Sequence, residues 1–368
     1  MINKYLLFFV TVCVSISSGC GQRNPQTEAD EAIIRSMKLY GVPSVSIAVI
    51  QHGKIAWAKA YGMADETTKR AADTNTIYQV ASMSKSLNAY CIMRLVQEGR
   101  LSLDTDIRQY LHSWIFPDNT FSKNARLTIR SLLSHTAGLG VHGFKGYLHT
   151  ETIPTINEML NGTAPANSGK IEAILEPGTK VEYSGGGTLI TRKILQDNIA
   201  QNYDSLLENY VLRPLGMIKS SFSQPLTAQY TNFAAAYDEN RKEIPGKYYI
   251  YPELSPDGLW ATAADYARFI ISVQHSIAGQ QPALLNKQTI STMLTPVLEN
   301  AALGFFITSK GAQKYFGHSG ANNGFRSAYN GSFTSGDGAV VLTNSDNGGN
   351  LAGVIIRKIA SIYQWKDF

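Results

Sequence analysis

A serine and a lysine stand three residues apart in the stretch ASMSKS, residues 81–86. In a helix, residues i and i+3 lie on one face, so Ser82 and Lys85 would point the same way. A serine hydroxyl is a weak nucleophile until a neighbouring base takes its proton. A helix N-terminus also offers unpaired N–H groups and partial positive charge, which can receive an oxyanion. This spacing is typical of nucleophilic acyl transfer, with Ser82 attacking and Lys85 assisting.

A structural role is the alternative interpretation, because S-x-x-K arises often by chance. Ser82 or Ser84 would then cap the helix, and the Lys85 chain would extend to water. The apolar residues between 87 and 96 surround a helix when plotted at about 100° per residue, which predicts a buried helix over about 84–98. A lysine at the start of a buried helix is costly unless it is paired, so burial favours a chemical role.

Two later segments supply further groups of the kind that acyl transfer needs. Tyr183 precedes three glycines in EYSGGG (182–187), a predicted loop in which glycine permits close backbone approaches. FGHSGANNGF (316–325) lies at the end of a predicted strand, and a substrate could pair with the edge of such a strand. Both segments are candidates for the walls of a site around Ser82.

Two other possible motifs do not fit their context. GHSGA (317–321) nearly matches the nucleophile elbow G-x-S-x-G, but a helix must follow that elbow, and here a Gly- and Asn-rich segment follows. His135, His142 and His149 are spaced by seven, with no carboxylate or cysteine at ligand spacing. We therefore expect no metal site and no cofactor, and we expect His135 to pack or hydrogen-bond beside the site.

Hydrophobic patterning predicts the elements that must position these residues. Two strand-like runs around QHGK (44–62) indicate a hairpin with His52 and Gly53 in its turn. Strand signals return only late in the chain, while helical patches separated by Gly, Pro and Asn occupy the middle. This order predicts one sheet assembled from both ends of the chain, with a helical insertion. The other predicted segments are helices at about 29–40 and 350–363 and strands at 303–309, 314–320, 325–333 and 338–344.

The composition is that of a globular protein, with 44% hydrophobic and 17% charged residues. A formal charge of +5 over 368 residues gives no basis for nucleic-acid binding, which would require a basic stripe. Lys4 precedes an apolar run of 14 residues. That run is shorter than the ~20 residues that span a bilayer, so residues 1–19 resemble an export signal.

The segment SSGC (17–20) resembles a bacterial lipobox, although Ser17 stands where Leu is usual. The sequence therefore predicts lipidation of Cys20, a polar tether over 20–30, and an exported protein in the periplasm or anchored to the membrane by its lipid. The alternatives are secretion without a lipid and a cytosolic protein with an apolar N-terminal helix. If Cys20 is lipidated, Cys91 has no disulfide partner, and we expect it to be a small buried residue.

The order S-x-x-K, then Y-S-x, then H-x-G resembles the serine hydrolases related to class C β-lactamases, D-alanyl peptidases and family VIII esterases. LLSHTAGL (132–139) and DGLWATAADYARF (257–269) are similar to segments of the same family, and the resemblance spans about 31–368. It implies an α/β (α+β) fold of the β-lactamase/transpeptidase type, with a mainly antiparallel sheet flanked by helices and a helical subdomain. The α/β part would comprise about 31–85 and 260–368, and the helical part about 86–259.

The resemblance also implies roles for individual residues. Ser82 would be the nucleophile that forms an acyl-enzyme, and Lys85 would accept or relay its proton. Tyr183 would act as the general base and later protonate the leaving group. His318 and Gly320 would form the third motif, which binds substrate. The backbone N–H groups of Ser82 and Ala321 would form the oxyanion hole.

Two departures from the β-lactamase pattern bear on the substrate. Gly185 stands where Tyr-x-Asn has its amide, and His318 replaces the lysine that opens the third motif. We therefore expect a serine hydrolase acting on an ester, a D-amino-acid peptide or a β-lactam, with esterase or peptidase activity favoured over efficient β-lactam hydrolysis. Tyr183 would act mainly with Lys85, and His318 would hydrogen-bond substrate. The alternative is a catalytically weak protein that binds penicillin or wall peptides.

Overall fold

The computed structural model describes residues 24–368. The predicted signal (1–19) and the candidate lipidation residue Cys20 lie outside the described residues. Helix α1 spans Pro25–Tyr40. Because the Asn24 side chain accepts the Gln26 N–H and proline suits a first helical position, the helix begins before residue 29. The predicted tether over 20–30 is therefore wrong from Pro25 onward.

Nine strands and eight further helices follow within the described residues. The strands are β1 Ser44–Gln51, β2 Lys54–Asp65, β3 Arg70–Ala71, β4 Tyr78–Gln79, β5 Trp260–Ala261, β6 Phe306–Lys310, β7 Gln313–Asn322, β8 Phe325–Ser332 and β9 Gly338–Thr343. The helices are α2 Ser84–Gln97, α3 Ile129–Leu133, α4 Ile156–Asn161, α5 Gly185–Asn198, α6 Tyr203–Leu207, α7 Ala263–Ala278, α8 Lys287–Leu294 and α9 Gly348–Ile362. Short turns of other helical types are Ala81–Met83, Ile107–Gln109 and Glu208–Leu212.

One antiparallel sheet joins the two ends of the chain, as the sequence predicted. Its seven strands lie in the order β3-β2-β1-β9-β8-β7-β6. The central pairing is between β1 and β9, in a register that runs from Val45 opposite Thr343 to Ile50 opposite Gly338. The predicted hairpin turn is confirmed, because His52 and Gly53 both have positive φ, which suits a two-residue hairpin.

The sheet is buried on both faces. Alternate side chains of β1 point to opposite faces, so Val45, Ile47 and Val49 pack with α1 and α9, while Ala48 and Ile50 belong to the larger core on the other side. That larger core includes α2, whose residues are buried on every side, as predicted. Cys91 on α2 is fully buried and free, which agrees with its expected packing role.

The residues between α2 and β5 contain three α-helices of five or six residues and one of 14 residues, α5, separated by long loops. The region predicted as helical is therefore mostly loop, because Gly, Pro and Asn interrupt each helical patch. These loops contribute buried residues to the same core as the sheet. Within residues 24–368, no helix combines the length and the apolar character needed to cross a bilayer.

Candidate active site

The Ser82 segment is a strained turn that leads directly into α2. Ala81 has φ +50°, a left-handed conformation that is costly for a residue with a side chain. The turn is fixed from outside, since the Val80 N–H donates to the Leu259 carbonyl and the Leu259 N–H donates to Ser84 Oγ, both at 3.0 Å. Ser82 remains partly exposed between buried neighbours, so a substrate can reach its hydroxyl.

Lys85 is paired inside the protein and does not extend to water. Its side chain is 2% exposed. Its Nζ donates to Ser82 Oγ at 2.9 Å, to the Pro256 carbonyl at 3.0 Å and to Asp257 Oδ1 at 3.3 Å. Burial alone would lower the pKa of Lys85, but the charge of Asp257 and then Tyr183 raise it overall. The resting site therefore holds a charged ammonium beside the serine hydroxyl.

Asp257 is the functional residue that sequence reasoning missed. Its Oδ1 accepts the Ser82 hydroxyl at 2.8 Å, and its Oδ2 has no hydrogen-bond partner among the described residues. The segment DGLWATAADYARF begins at this residue, but the family resemblance assigns no role to its carboxylate. The buried lysine is the available signal, because such a lysine needs a counter-charge. The Asp257 carboxylate supplies that counter-charge, 3.3 Å from the Lys85 ammonium.

Backbone contacts fix the loop that carries Asp257. The N–H groups of Asp257 and Gly258 both donate to the Leu254 carbonyl, at 3.2 and 2.7 Å. Leu254 itself has a positive φ of 58°. The Asn322 side chain, at the end of β7, donates to the Asp257 carbonyl at 3.1 Å. The strand of the third motif therefore holds the loop that supplies the carboxylate.

Tyr183 lies against the lysine within a wall of rings. The Lys85 ammonium is 5.1 Å from the centre of the Tyr183 ring. The rings of His135, Phe306 and His318 lie 4.4, 6.3 and 6.1 Å from that ring, centre to centre. His135 Nδ1 accepts the N–H of Ser184, which fixes the backbone beside Tyr183 at 3.1 Å. Lys85 thus contacts both Ser82 and Tyr183, and His135 packs and hydrogen-bonds beside them, as expected.

The three glycines after Tyr183 are not a loop. They form the first turn of α5, which Ser184 caps by accepting the Gly187 N–H at 2.9 Å. The expected close approaches are present, because a Cβ on Gly185 would lie 3.0 Å from the His142 carbonyl and one on Gly186 2.9 Å from Ile171. The cap explains the difference, since Ser184 starts a helix that the glycines alone would not favour.

His318 is a buried, neutral imidazole. Its Nδ1 lies 2.6 Å from the Ser319 carbonyl, which can only accept, so Nδ1 carries the proton. Its Nε2 is then an acceptor, and it has no partner among the described residues. Burial, followed by the charge of Lys85, lowers the pKa of His318 to about 4. The third motif therefore contributes no fixed positive charge near neutral pH.

Gly320 allows β7 to pass close to the Ser82 turn. A Cβ there would lie 2.2 Å from the Val80 carbonyl and 3.0 Å from the Ala81 Cβ, so any side chain would push the strand away. Strand β6 pairs with β7 only as far as Gly317, which leaves the following residues paired to β8 alone. The oxyanion hole assigned to Ser82 and Ala321 stays a prediction.

The histidines spaced by seven do not gather around a common point. Within residues 24–368, no group of three or more His, Cys, Asp and Glu side chains is placed to hold a metal ion. His135 lies in the ring wall, while His142 is exposed and pairs with Glu182 at 3.2 Å. His149 packs edge-on against Tyr248.

The fold and the site identify the family. A sequence profile of the family described as Beta-lactamase matches residues 29–364, so the chain belongs to that family. Members of this family are serine hydrolases that act on amides or esters. This membership confirms the resemblance recognised in the order of the three motifs.

Known proteins that resemble the chain are distant in sequence. Protein flp of Staphylococcus aureus (strain N315) is 29% identical over 243 residues, which cover 66% of this chain and 46% of that protein. Unguisins hydrolase ungD of Aspergillus violaceofuscus is 23% identical over 265 residues, 68% of this chain and 45% of that protein. The chain therefore spans slightly less than half the length of these relatives.

Solved structures share the fold at low sequence identity. The octameric penicillin-binding protein homologue from Pyrococcus abyssi has a TM-score of 0.78 at 22% identity, covering 92% of this chain and 77% of its own. The D-amino acid amidase from Ochrobactrum anthropi SV3 has a TM-score of 0.77 at 18% identity, and the match covers 93% of this chain and 99% of the amidase. The D-alanine carboxypeptidase AmpC from Burkholderia cenocepacia has a TM-score of 0.72 at 17% identity, and the match covers 92% of this chain and 98% of the carboxypeptidase.

A second buried carboxyl group lies in the Asp257 loop but does not contact Ser82. Glu253 is fully buried, and neither of its carboxyl oxygens has a hydrogen-bond partner among the described residues. Burial above all, with the charge of Asp257 adding to it, raises the pKa of Glu253 to about 8. The folded protein therefore keeps a proton on Glu253 between about pH 4.5 and pH 8, where an unfolded glutamate has lost it.

Replacing Glu253 with glutamine should remove part of the pH dependence of stability. Because the folded state binds the extra proton, the wild-type free energy of unfolding should fall between about pH 5 and 8, and Glu253→Gln should lose that decline. The difference between the two proteins should grow by up to about 4 kcal/mol over this range. Urea unfolding at several pH values measures it, with the exposed Glu239→Gln as control. If the free energy of unfolding changed with pH in the same way in wild type, Glu253→Gln and Glu239→Gln, the raised pKa of Glu253 would be contradicted.

Proposed function

We propose that the protein hydrolyses an ester or an amide through an acyl-enzyme on Ser82. The strongest support is the position of the Ser82 hydroxyl, which is partly exposed and lies 2.9 Å from the Lys85 ammonium and 2.8 Å from the Asp257 carboxylate. A hydroxyl placed between an acceptor and a cation is an activated nucleophile. The ring of Tyr183 lies 5.1 Å from the Lys85 ammonium and completes one wall of the site.

Neutral substrates suit this site better than substrates with a free carboxylate. Recognition of a carboxylate normally uses a cation that donates hydrogen bonds. The third motif here presents a neutral His318 whose free nitrogen is an acceptor. Penicillins and peptides that end in D-alanine both carry a free carboxylate, so esters and blocked amides are the favoured substrates. The D-amino acid amidase among the structural neighbours is named for amide substrates, which is compatible with this preference.

Removing the Ser82 hydroxyl should abolish turnover. Ser82→Ala should lose more than about 10³-fold in kcat/KM on a short-chain p-nitrophenyl ester, since nothing then forms the acyl-enzyme. Mass spectrometry of wild-type protein quenched during turnover should find an acyl group on the peptide that contains Ser82. Ser309→Ala, at an exposed position of β6, is the control that keeps the nucleophile and its turn.

Two results would separate this proposal from its rivals. Wild-type rates in Ser82→Ala would reject the mechanism. Labelling of Ser82 by a fluorescent penicillin without turnover of ester, nitrocefin or D-alanyl-D-alanine peptide would instead favour the alternative, a catalytically weak binding protein.

The substitution His318→Lys should shift the substrate preference of the protein toward substrates that carry a free carboxylate. One N-acyl depsipeptide with a free C-terminal carboxylate is compared with its methylamide, which has the same leaving group apart from the charge. His318→Lys should move the ratio of kcat/KM toward the carboxylate form by at least about tenfold, the worth of one charge-assisted hydrogen bond. His52→Lys, in the distant β1–β2 turn, should leave the ratio unchanged. An unchanged ratio and pH–rate profile in His318→Lys would show that residue 318 does not set this selectivity.

We also propose that the protein is exported and anchored through a lipid on Cys20. The support is the lipobox-like SSGC and the apolar run before it. Cys20→Ser should move the protein from the membrane fraction to the soluble fraction and abolish labelling with a palmitate analogue. Cys13→Ser, inside the apolar run, is the control that should keep both. Equal labelling of both variants would contradict anchoring at Cys20.

A further inference from the structure

We propose that Asp257, rather than Lys85, takes the proton from Ser82 when the acyl-enzyme forms. This inference rests on the proposed function, since it concerns the first step of the same acyl transfer. The Ser82 hydroxyl has two polar side-chain neighbours, and only one of them accepts from it. Asp257 Oδ1 accepts the hydroxyl proton at 2.8 Å, while Lys85 Nζ donates to the hydroxyl oxygen at 2.9 Å. The proton of Ser82 therefore already points at the carboxylate.

The surroundings of Lys85 are those of an ammonium and not of a free amine. Its Nζ donates to Ser82 Oγ, the Pro256 carbonyl and Asp257 Oδ1, and the Tyr183 side chain is a further hydrogen-bonding partner. An ammonium has only N–H donors to offer these groups, whereas a neutral amine would direct its lone pair at one of the acceptors. Both side chains of the ion pair are at least 96% buried, so water does not screen the pair. Lys85 therefore has no electron pair with which to receive a proton.

Asp257 differs from a buried aspartate with a purely structural role. Asp265 in α7 uses both oxygens, one for Arg268 and the other for the Lys219 N–H and the Ser220 hydroxyl. Asp257 directs one oxygen at the nucleophile and the lysine, and its second oxygen is unpartnered. Asp257 therefore differs from Asp265 in that its one engaged oxygen is directed at the nucleophile and at the lysine beside it.

The proposed step balances without any further reactant. As Ser82 Oγ bonds to the substrate acyl carbon, its O–H bond breaks and the proton moves to Asp257 Oδ1. The electron pair of the substrate carbonyl moves to its oxygen. When the tetrahedral intermediate collapses, the bond to the leaving group breaks, the leaving group takes the proton from Asp257, and the carboxylate is restored. Throughout, Lys85 stays an ammonium and stabilises the developing charge on Oγ.

Other titratable groups near Asp257 must be separated from it in any pH measurement. Lys85 faces it from α2 and Tyr183 from the segment before α5, while Tyr251 and Glu253 belong to its own loop. His318 approaches the Lys85 side of the pair from β7. The pKa of His318 is about 4 and that of Glu253 about 8, so Glu253 is the group that titrates nearest to neutrality. The Glu253→Gln background removes that contribution.

Asp257→Asn separates a carboxylate base from a lysine base because the two predict opposite effects. Tyr183→Phe, which keeps the Asp257 carboxylate, should lose less rate than Asp257→Asn if the carboxylate and not the phenol is the base. If Asp257 is the base, kcat/KM on the p-nitrophenyl ester should fall by about 10²–10⁴-fold, the usual contribution of a general base. If Lys85 is the base, removing the carboxylate makes Lys85 easier to deprotonate, and kcat/KM near neutral pH should stay the same or rise. The latter result, with Ser82→Ala inactive, would overturn this inference and leave the proposed function intact. Turnover by Ser82→Ala would overturn both.

Two further measurements keep the test decisive if Asp257→Asn folds poorly. Formate added to folded Asp257→Ala should restore at least about tenfold in kcat/KM by supplying a carboxylate, and absence of rescue would count against the inference. In the Glu253→Gln background, kcat/KM should not rise at alkaline pH, because the proposed base is a carboxylate and not an amine. A rate that climbs through about pH 9 would indicate a lysine base and overturn the inference. Glu253→Gln, which alters a buried carboxyl group of the same loop, should keep near wild-type rates at pH 7.

Discussion

The buried ion pair between Lys85 and Asp257 is the interaction on which the rest of the site depends. Its nitrogen and oxygen are 3.3 Å apart, and its side chains are only 2% and 4% exposed. Breaking such a pair by removing one partner usually costs about 3–5 kcal/mol, because the remaining charge is left without compensation. The pair persists here because the Lys85 ammonium also donates hydrogen bonds to the Pro256 carbonyl and to the Ser82 hydroxyl oxygen. The nucleophile is thus part of the network that keeps the charges buried.

The sheet explains why this network has a fixed geometry. Pairing between β1 and β9 brings the two ends of the chain into one sheet, and β8 and β7 follow outward from it. On β7, Gly320 lets the strand touch the Ser82 turn, while Asn322 holds the Asp257 carbonyl. One strand therefore positions both the serine segment and the loop that faces it. A shift of β7 would disturb the nucleophile and the carboxylate together.

Much of the fold and part of the site could be predicted from the sequence. Helix α2, the first hairpin and the late strands follow from local patterning, and the match to the Beta-lactamase family confirms the predicted resemblance. Asp257 was missed because it lies 175 residues from Ser82, within an ordinary Asp-Gly turn that local pattern does not distinguish. The helix at Gly185 was missed because three glycines suggest a loop, although the Ser184 cap starts a helix there. The contacts that depend on tertiary structure were the ones that sequence could not supply.

The protonation state of Lys85 tests the central claim most directly. Protein labelled with ¹³C at lysine Cε gives one NMR signal per lysine, and comparison with Lys85→Met assigns the signal of Lys85. The ion pair predicts that this signal keeps the chemical shift of an ammonium to higher pH than the signals of exposed lysines, because the Asp257 charge raises the pKa of Lys85. A Lys85 that loses its proton near about pH 7 would behave as a free amine and would contradict the account.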